Sequence, residues 1–319
     1  MIQSSATLQE NFHKILAEFT AGDPMREGVL WTNLSRREIS RRLAEMGTPA
    51  SRHVVRKLLK KSHLGQRKAC KKKSMGMHPD RNAQFENIAR LKALYLQQGE
   101  PVISIDTKKK ELIGNFAREG TTHTQTQVQT LDHDFPSAGT GKLIPHGLYD
   151  LARNEGYVHL NTSVDTSEFC CDSIAHWWTQ HGVHQYPNAS RLLLLCDGGG
   201  SNASNRHVCK EALQKLAEQL GLEIRVAHYP PYSKHNPIEH RLFAHVTRAC
   251  QGVIFHTVGI AKQFMQKTKT TTGLKVTVDV LDGVYAAGKK CAADFLQTIR
   301  IRFDPHLPRW NYCALPQGC

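Results

Sequence analysis

The sequence predicts a mixed α/β domain preceded by a small all-α module of helix-turn-helix type. Three observations carry this. Residues 34–61 hold two capped amphipathic segments separated by Gly47, Thr48 and Pro49. From residue 101 onward, short apolar runs alternate with segments of helical period. Within them RLLLLCD (191–197) is a dense apolar run, as expected of a strand covered on both faces.

Taken in order, Ser35 is placed to cap a helix, Glu38 to complete a capping box, and Leu34 to pack on Ile39. Ile39, Leu43 and Met46 give that helix one apolar face. Ser51 can cap a second helix with Val54, Val55, Leu58 and Leu59 turned inward. Arg52, Arg56, Lys57, Lys60 and Lys61 lie mostly off that stripe. A basic second helix after a short glycine turn suits a reader of double-stranded DNA. A helical hairpin with a solvated charged face would show the same periodicity, but the basic residues sit on the second helix, where a groove reader needs them. The module is placed at residues 1–62. Residues 63–78 then read as a basic linker able to track phosphates.

A helix follows from Pro79 to Gln98, with Phe85, Ile88, Leu91 and Tyr95 at helical spacing and Gly99 to end it. VISID (102–106) reads as a strand. KLIPHGLYDL (142–151) and YVHLNT (157–162) flank RNEG as a hairpin. SEFCCDSIAHWWTQHG (167–182) reads as a helix in which Trp177 and Trp178 belong to the core. After the strand ending at Asp197 come a helix near Ser204 to Leu220, a strand EIRVAHY (223–229), a turn PYSKHN and a helix over 237–250. The larger domain is drawn over 79–290, with 291–319 as a C-terminal tail. Residues 268–319 show no pattern that assigns them.

The chain has 319 residues and a formal net charge of +14. A surplus of this size favours a polyanionic partner, because each neutralised phosphate releases a counterion. No apolar run approaches the roughly 20 residues that cross a bilayer, and the N-terminus lacks the basic start and apolar block of a secretory signal. The expected setting is the cytoplasm, in association with the nucleoid. Nine cysteines without a C-x-x-C pair read as reduced, mostly buried thiols. Eighteen histidines without H-E-x-x-H give little support for zinc.

Three acids stand out. Asp106 ends the first strand of the larger domain and Asp197 ends the buried one. Active sites of α/β sheets gather outside the carboxyl ends of parallel strands, so neighbouring strands would bring both carboxylates together. Glu239 falls in the first turn of a later helix, after Asn236 as a good N-cap and Pro237 as a good first residue. Three converging carboxylates suit Mg²⁺ or Mn²⁺, and a pair of such ions can clamp the attacking and leaving oxygens of a phosphodiester. Structural readings stand beside these. Asp106 can cap a strand end, Asp197 can serve the DGGGSN turn, and Glu239 can be an ordinary helix-start residue. Lys108, Lys109 and Lys110 beside Asp106, and His240 and Arg241 beside Glu239, are candidates for phosphate contact. Asp165, Glu168 and Asp172 are competing acids on one helix and its approach, read as a solvated edge. Gly198, Gly199 and Gly200 allow close backbone approach to a DNA strand.

PVISIDTKKKELIGNF, YDLARNEGYVHL, LLLLCDGGGSN, NPIEHRLF and TTTGLKV, in this order, strongly resemble one insertion-sequence family, the Rhodopirellula-type DDE transposases. The resemblance runs from about Trp31 to about Lys289. It implies a ribonuclease H-like mixed sheet flanked by helices, and it carries an acidic triad onto Asp106, Asp197 and Glu239. Only the NPIEHRLF motif promotes Glu239, which spacing alone does not. A transposase of this kind is expected to cleave DNA at its element's terminal repeats and to transfer the freed strand into target DNA, acting as a homodimer or higher oligomer with two Mg²⁺ ions. Two rivals keep the same fold: a ribonuclease H-like nuclease, and an inactive transposase-derived DNA-binding protein. An aspartate-nucleophile phosphatase would need a second Asp where Lys108 stands.

Overall fold

The helical pair expected near the N-terminus forms, and its caps explain where it starts. In the computed structural model, which describes residues 2–23, 26–67, 78–198, 207–231, 235–289 and 299–317, Ser35 Oγ accepts the Glu38 N–H at 3.1 Å and opens α2 (Arg36–Glu45). The Glu38 carboxylate turns to Arg41 and Arg42. Ser51 Oγ accepts the Val54 N–H and opens α3 (Arg52–Lys61). Gly47 between them takes φ +75°, a left-handed turn that favours glycine. An N-terminal helix α1 (Ile2–Phe19) supplies Phe12, Ile15 and Leu16, which bury against Ile39, Leu43 and Val55, with Leu34 packed on the group. Met46, expected on this buried face, is 41% exposed, because it is the C-cap where the chain leaves the helix. Within the module drawn at residues 1–62, the sequence reading assigns no helix or strand before residue 34. There the structure adds α1 and an antiparallel pair, β1 (Thr20–Asp23) with β2 (Arg26–Thr32). These elements lie in one compact unit, Met1–Lys72; the rest of the chain, Lys73–Cys319, forms a second.

The second unit is built on one mixed sheet. Its strands are β3 (Val102–Thr107), β4 (Glu111–Ile113), β5 (Gly141–Asp150), β6 (Glu155–Asn161), β7 (Arg191–Asp197), β8 (Glu223–Tyr229), β9 (Lys275–Val280), β10 (Ile301–Phe303) and β11 (Asn311–Ala314). Their spatial order is β10-β11-β8-β7-β3-β5-β6-β9, with β4 on β5. β5 pairs antiparallel with β3 and, in the expected hairpin, with β6, while β7 pairs parallel with β3 and β8 parallel with β7. An antiparallel three-strand meander continued by parallel strands is the ribonuclease H-like arrangement.

β7 has no polar interior position because both of its faces are covered. Leu192, Leu194 and Cys196 pack with Ile174 and Trp177 of α5 (Ser167–Trp177) and with Leu213 and Leu216 of a later helix, His207–Leu220. Leu193 and Leu195 pack with Ile88, Leu91 and Tyr95 of α4 (Arg81–Gln97) on the other side. α5 runs on through a π turn, Trp178–Gly182, into α6 (Val183–Gln185); the helix His207–Leu220 is α7. The chain after β8 returns as a π turn, Glu239–Phe243, then α8 (Ala244–Ala249) and α9 (Val258–Gln266). Gly199, Gly200 and the middle of the PYSKHN turn lie outside the described residues.

The stretch without a sequence pattern is part of the sheet. β9 pairs in parallel with β6, and β11 is fully buried against β8. Asn311 of β11 exchanges side-chain hydrogen bonds with Gln84 of α4, at 2.8 and 3.0 Å. Strands of three and four residues are too short to show a period, which is why residues read as a C-terminal tail give no signal.

Candidate active site

Asp106 and Asp197 stand at adjacent strand ends, one residue beyond the parallel pairing of Ile105 with Cys196. Asp106 Oδ1 accepts the Thr107 N–H at 2.8 Å. Asp197 Oδ1 is buried without a hydrogen-bond partner.

Glu239 is delivered to this corner by a clamp that the sequence reading assigned differently. Asn236, read as a helix cap, uses its side chain on β3: its amide donates to the Ile105 carbonyl at 3.3 Å, and its Oδ1 accepts the Ser104 hydroxyl. Ser104 Oγ in turn accepts the Ile238 N–H at 3.2 Å. The π turn can lie this close because two strand positions facing it carry no side chain. A Cβ on Gly147 would stand 2.5 Å from Phe243 Cε1, and one on Gly156 would stand 2.4 Å from Leu242 Cδ1. Gly147 is the register partner of Asp106.

The acids repel one another where water is scarce. Burial, then the charges of Asp197 and Glu239, hold the Asp106 carboxyl well above the ordinary range, and Glu239 also hydrogen-bonds it. Burial and then Glu239 push Asp197 up to about 6, against a smaller opposing pull from Asn236. The arrangement is pairwise: Asp106 bonds Glu239, and Asp197 meets both through charge. Hard oxygen donors coupled in pairs, under mutual repulsion and with one buried oxygen unpartnered, fit divalent cations of the Mg²⁺ type.

The other candidates divide. Lys108 is largely buried and bound to Glu111, which also holds Arg118 at 2.7 Å, whereas Lys109 and Lys110 are exposed. His240 and Arg241 are exposed beside an exposed Glu239. Among the competing acids, Asp165 accepts the Thr107 hydroxyl, Asp172 accepts the Tyr285 hydroxyl, and Glu168 pairs with Lys289. Trp177 and Trp178 are core residues. In the N-terminal unit Arg52, Arg56, Lys57, Lys60 and Lys61 are all exposed. Sequence reasoning missed Arg36, Arg37 and His53, which with Arg52, Arg56 and Ser35 line one open groove. The signal was available: Arg36 and Arg37 directly follow the Ser35 cap, where both side chains escape the apolar stripe of α2.

A ribonuclease H-like sheet with carboxylates gathered at the ends of two neighbouring parallel strands is the frame of the DDE transposases. The chain belongs to the family described as the Rhodopirellula transposase DDE domain, whose model matches residues 11–316. That match extends beyond both ends of the resemblance read from the motifs. Among curated proteins none matches the chain. Solved structures of Mos1 transposase are similar at low identity. The paired-end complex with the left transposon end is 12% identical, with a TM-score of 0.42, over 81% of this chain and 69% of that one. The mariner Mos1 paired-end complex with Mg is 13% identical, with a TM-score of 0.47, over the same shares. No helix among the described residues is long and apolar enough to cross a membrane.

Proposed function

We propose that this transposase-family protein cleaves DNA at the ends of its element and transfers the freed 3′ end into target DNA, with Asp106, Asp197 and Glu239 as its catalytic and metal-holding residues. The observation that carries the reading is the pairwise coupling of these carboxylates at the strand ends, Asp106 hydrogen-bonded to Glu239 and Asp197 coupled to both by charge, with Asp197 Oδ1 buried and unpartnered. Two Mg²⁺ ions, or Mn²⁺ in their place, would activate water or a 3′-hydroxyl and stabilise the departing oxygen.

The chain's own residues supply the rest. Asp106 is held in orientation by the Thr107 N–H, which engages one of its two oxygens. Burial and the neighbouring carboxylates favour the protonated form of Asp106, and a bound cation would favour its ionised form. Glu239 occupies the exposed side, where a DNA strand approaches. Lys109, Lys110, His240 and Arg241 flank that approach and serve as phosphate contacts. In the N-terminal module (residues 1–62), α3 serves as the recognition helix for the terminal repeats, with Arg52, Arg56, Lys57, Lys60 and Lys61 on its exposed side and the groove arginines gripping the backbone. The basic linker (63–78), of which residues 68–77 lie outside the described residues, would add further phosphate contacts. Two element ends must be handled together, so the working form is a homodimer or higher oligomer on DNA in the cytoplasm.

The test is an assay on linear DNA carrying the gene's own flanking ends, with Mg²⁺ and a target plasmid. End-specific nicks followed by joined products are expected. Nicks without joined products would make the protein a nuclease, and end binding without cleavage in Mg²⁺ or Mn²⁺ would make it an inactive DNA-binding derivative.

A further inference from the structure

On the opposite face of the sheet from Asp106 lies a second group of ligating side chains. Side chains alternate along a strand. Ser104 and Asp106 face the Asn236 clamp, whereas Tyr157, and with it His159, faces α5. His159 on β6, His176 on α5 and Asp279 on β9 each present one ligating atom, and these atoms lie within 4.8 Å of one another. Among the described residues no other group of three His, Cys, Asp or Glu converges in this way.

One of the three pairs has the spacing of ligands around an ion. His176 Nε2 stands 3.5 Å from Asp279 Oδ2, close enough for an ion pair and long for a hydrogen bond. Two atoms bound tetrahedrally at 2.0–2.1 Å stand about 3.4 Å apart. His159 is 1% exposed, and its Nδ1 is buried without a partner. The rings of His159 and His176 meet edge to face at 4.9 Å. His176 and Asp279 remain about one third exposed, which leaves an entry path and room for a water ligand. One group competes: Lys262 Nζ lies 3.3 Å from Asp279 Oδ1.

We propose that His159, His176 and Asp279 form a transition-metal site, taking Zn²⁺ or a similar borderline cation, that ties α5 to the β6–β9 edge of the sheet. Two imidazoles and one carboxylate suit zinc better than Mg²⁺, which prefers oxygen ligands. The site holds whether or not the strand-end carboxylates cleave DNA. Its place at the edge strand gives it a structural role: among the described residues β9 has a partner only on its β6 side, and the ion would add a link from β9 to the helix above.

The experiment uses full-length protein carrying Asp197→Asn, stripped with chelator and titrated with Zn²⁺ and with Co²⁺ as a spectroscopic stand-in. One saturable ion per chain, with the intense visible bands of tetrahedral Co²⁺, is expected. His176→Gln and Asp279→Asn, conservative changes at positions about one third exposed, should each weaken binding by at least about tenfold. Lys262→Ala should tighten it by roughly two- to fivefold, since the competing ammonium is removed. Zinc bound equally well by His176→Gln, or no saturable binding at all, would overturn the proposal.

Discussion

Ser104 and Asn236 are bonded across 132 positions of sequence, the serine hydroxyl donating to the asparagine Oδ1 inside the sheet's core. Both side chains are buried, and the same serine oxygen accepts the Ile238 N–H. Glu239 is the next residue, so this pair fixes where the third carboxylate stands relative to Asp106. Ser104→Ala strands the Asn236 amide oxygen and the Ile238 N–H in an apolar setting. The expected cost is about 1–3 kcal/mol in stability. Strand cleavage should fall further than that destabilisation explains. Urea unfolding and a single-turnover cleavage rate check both; an unchanged rate in a folded Ser104→Ala protein would remove the clamp from the mechanism.

Gly147 is predicted to be intolerant for a steric reason. An added methyl meets the buried Phe243 and Ile238, which have nowhere to retreat. Gly147→Ala should cost about 1–3 kcal/mol and displace the π turn. Phe243→Leu in the same chain should recover part of the loss. A double-mutant cycle reads this as coupling, and strict additivity would contradict the contact.

The strand-end acids make a pH prediction of definite sign. Their folded pKa values are raised, Asp197 from 3.8 to about 6 and Asp106 higher still. The stability they contribute is therefore complete below about pH 4 and is lost as pH rises through 6 and beyond. Metal-free protein should lose thermal stability from these groups between pH 5 and pH 8, and Mn²⁺ or Mg²⁺ should raise the Tm more at pH 8 than at pH 5. Asp197→Asn should flatten both trends. An equal gain from Mn²⁺ at both pH values would argue that the cation binds elsewhere.

Arg56→Ala on α3 should leave the fold intact, because the side chain is exposed. Binding to element ends should weaken, and the slope of log K against log salt should become shallower by about 1, the share of one phosphate contact. Fluorescence anisotropy at several salt concentrations measures this. An unchanged slope and affinity would take the groove of Arg36, Arg37, Arg52 and Arg56 off the DNA.

Legibility in the sequence followed the strength of local physics. The helix pair at 34–61 was readable because serine caps and a 3.6-residue stripe act within a few residues. Asp106 and Asp197 were readable because each ends a strand whose burial dictates its composition. Glu239 was not, since its position depends on Ser104 and on two strand glycines far away in sequence. Asn236 looked like a cap because its long-range role leaves no local trace. β10 and β11 escaped for want of length, and the histidine–aspartate group escaped because its three members come from three different elements with no shared motif.

The central claim is that Asp106, Asp197 and Glu239 act together in metal-dependent cleavage. The most direct measurement is the single-turnover nicking rate of an element end in Mg²⁺ by the parent protein and by Asp106→Asn, Asp197→Ala and Glu239→Gln, each first shown to be folded and to bind the end. The account predicts Mg²⁺-dependent nicking by the parent and a loss of about a thousandfold or more in each variant, the weight of removing one part of a catalytic set that acts as a unit. Nicking by Asp197→Ala at the parent's rate would contradict it.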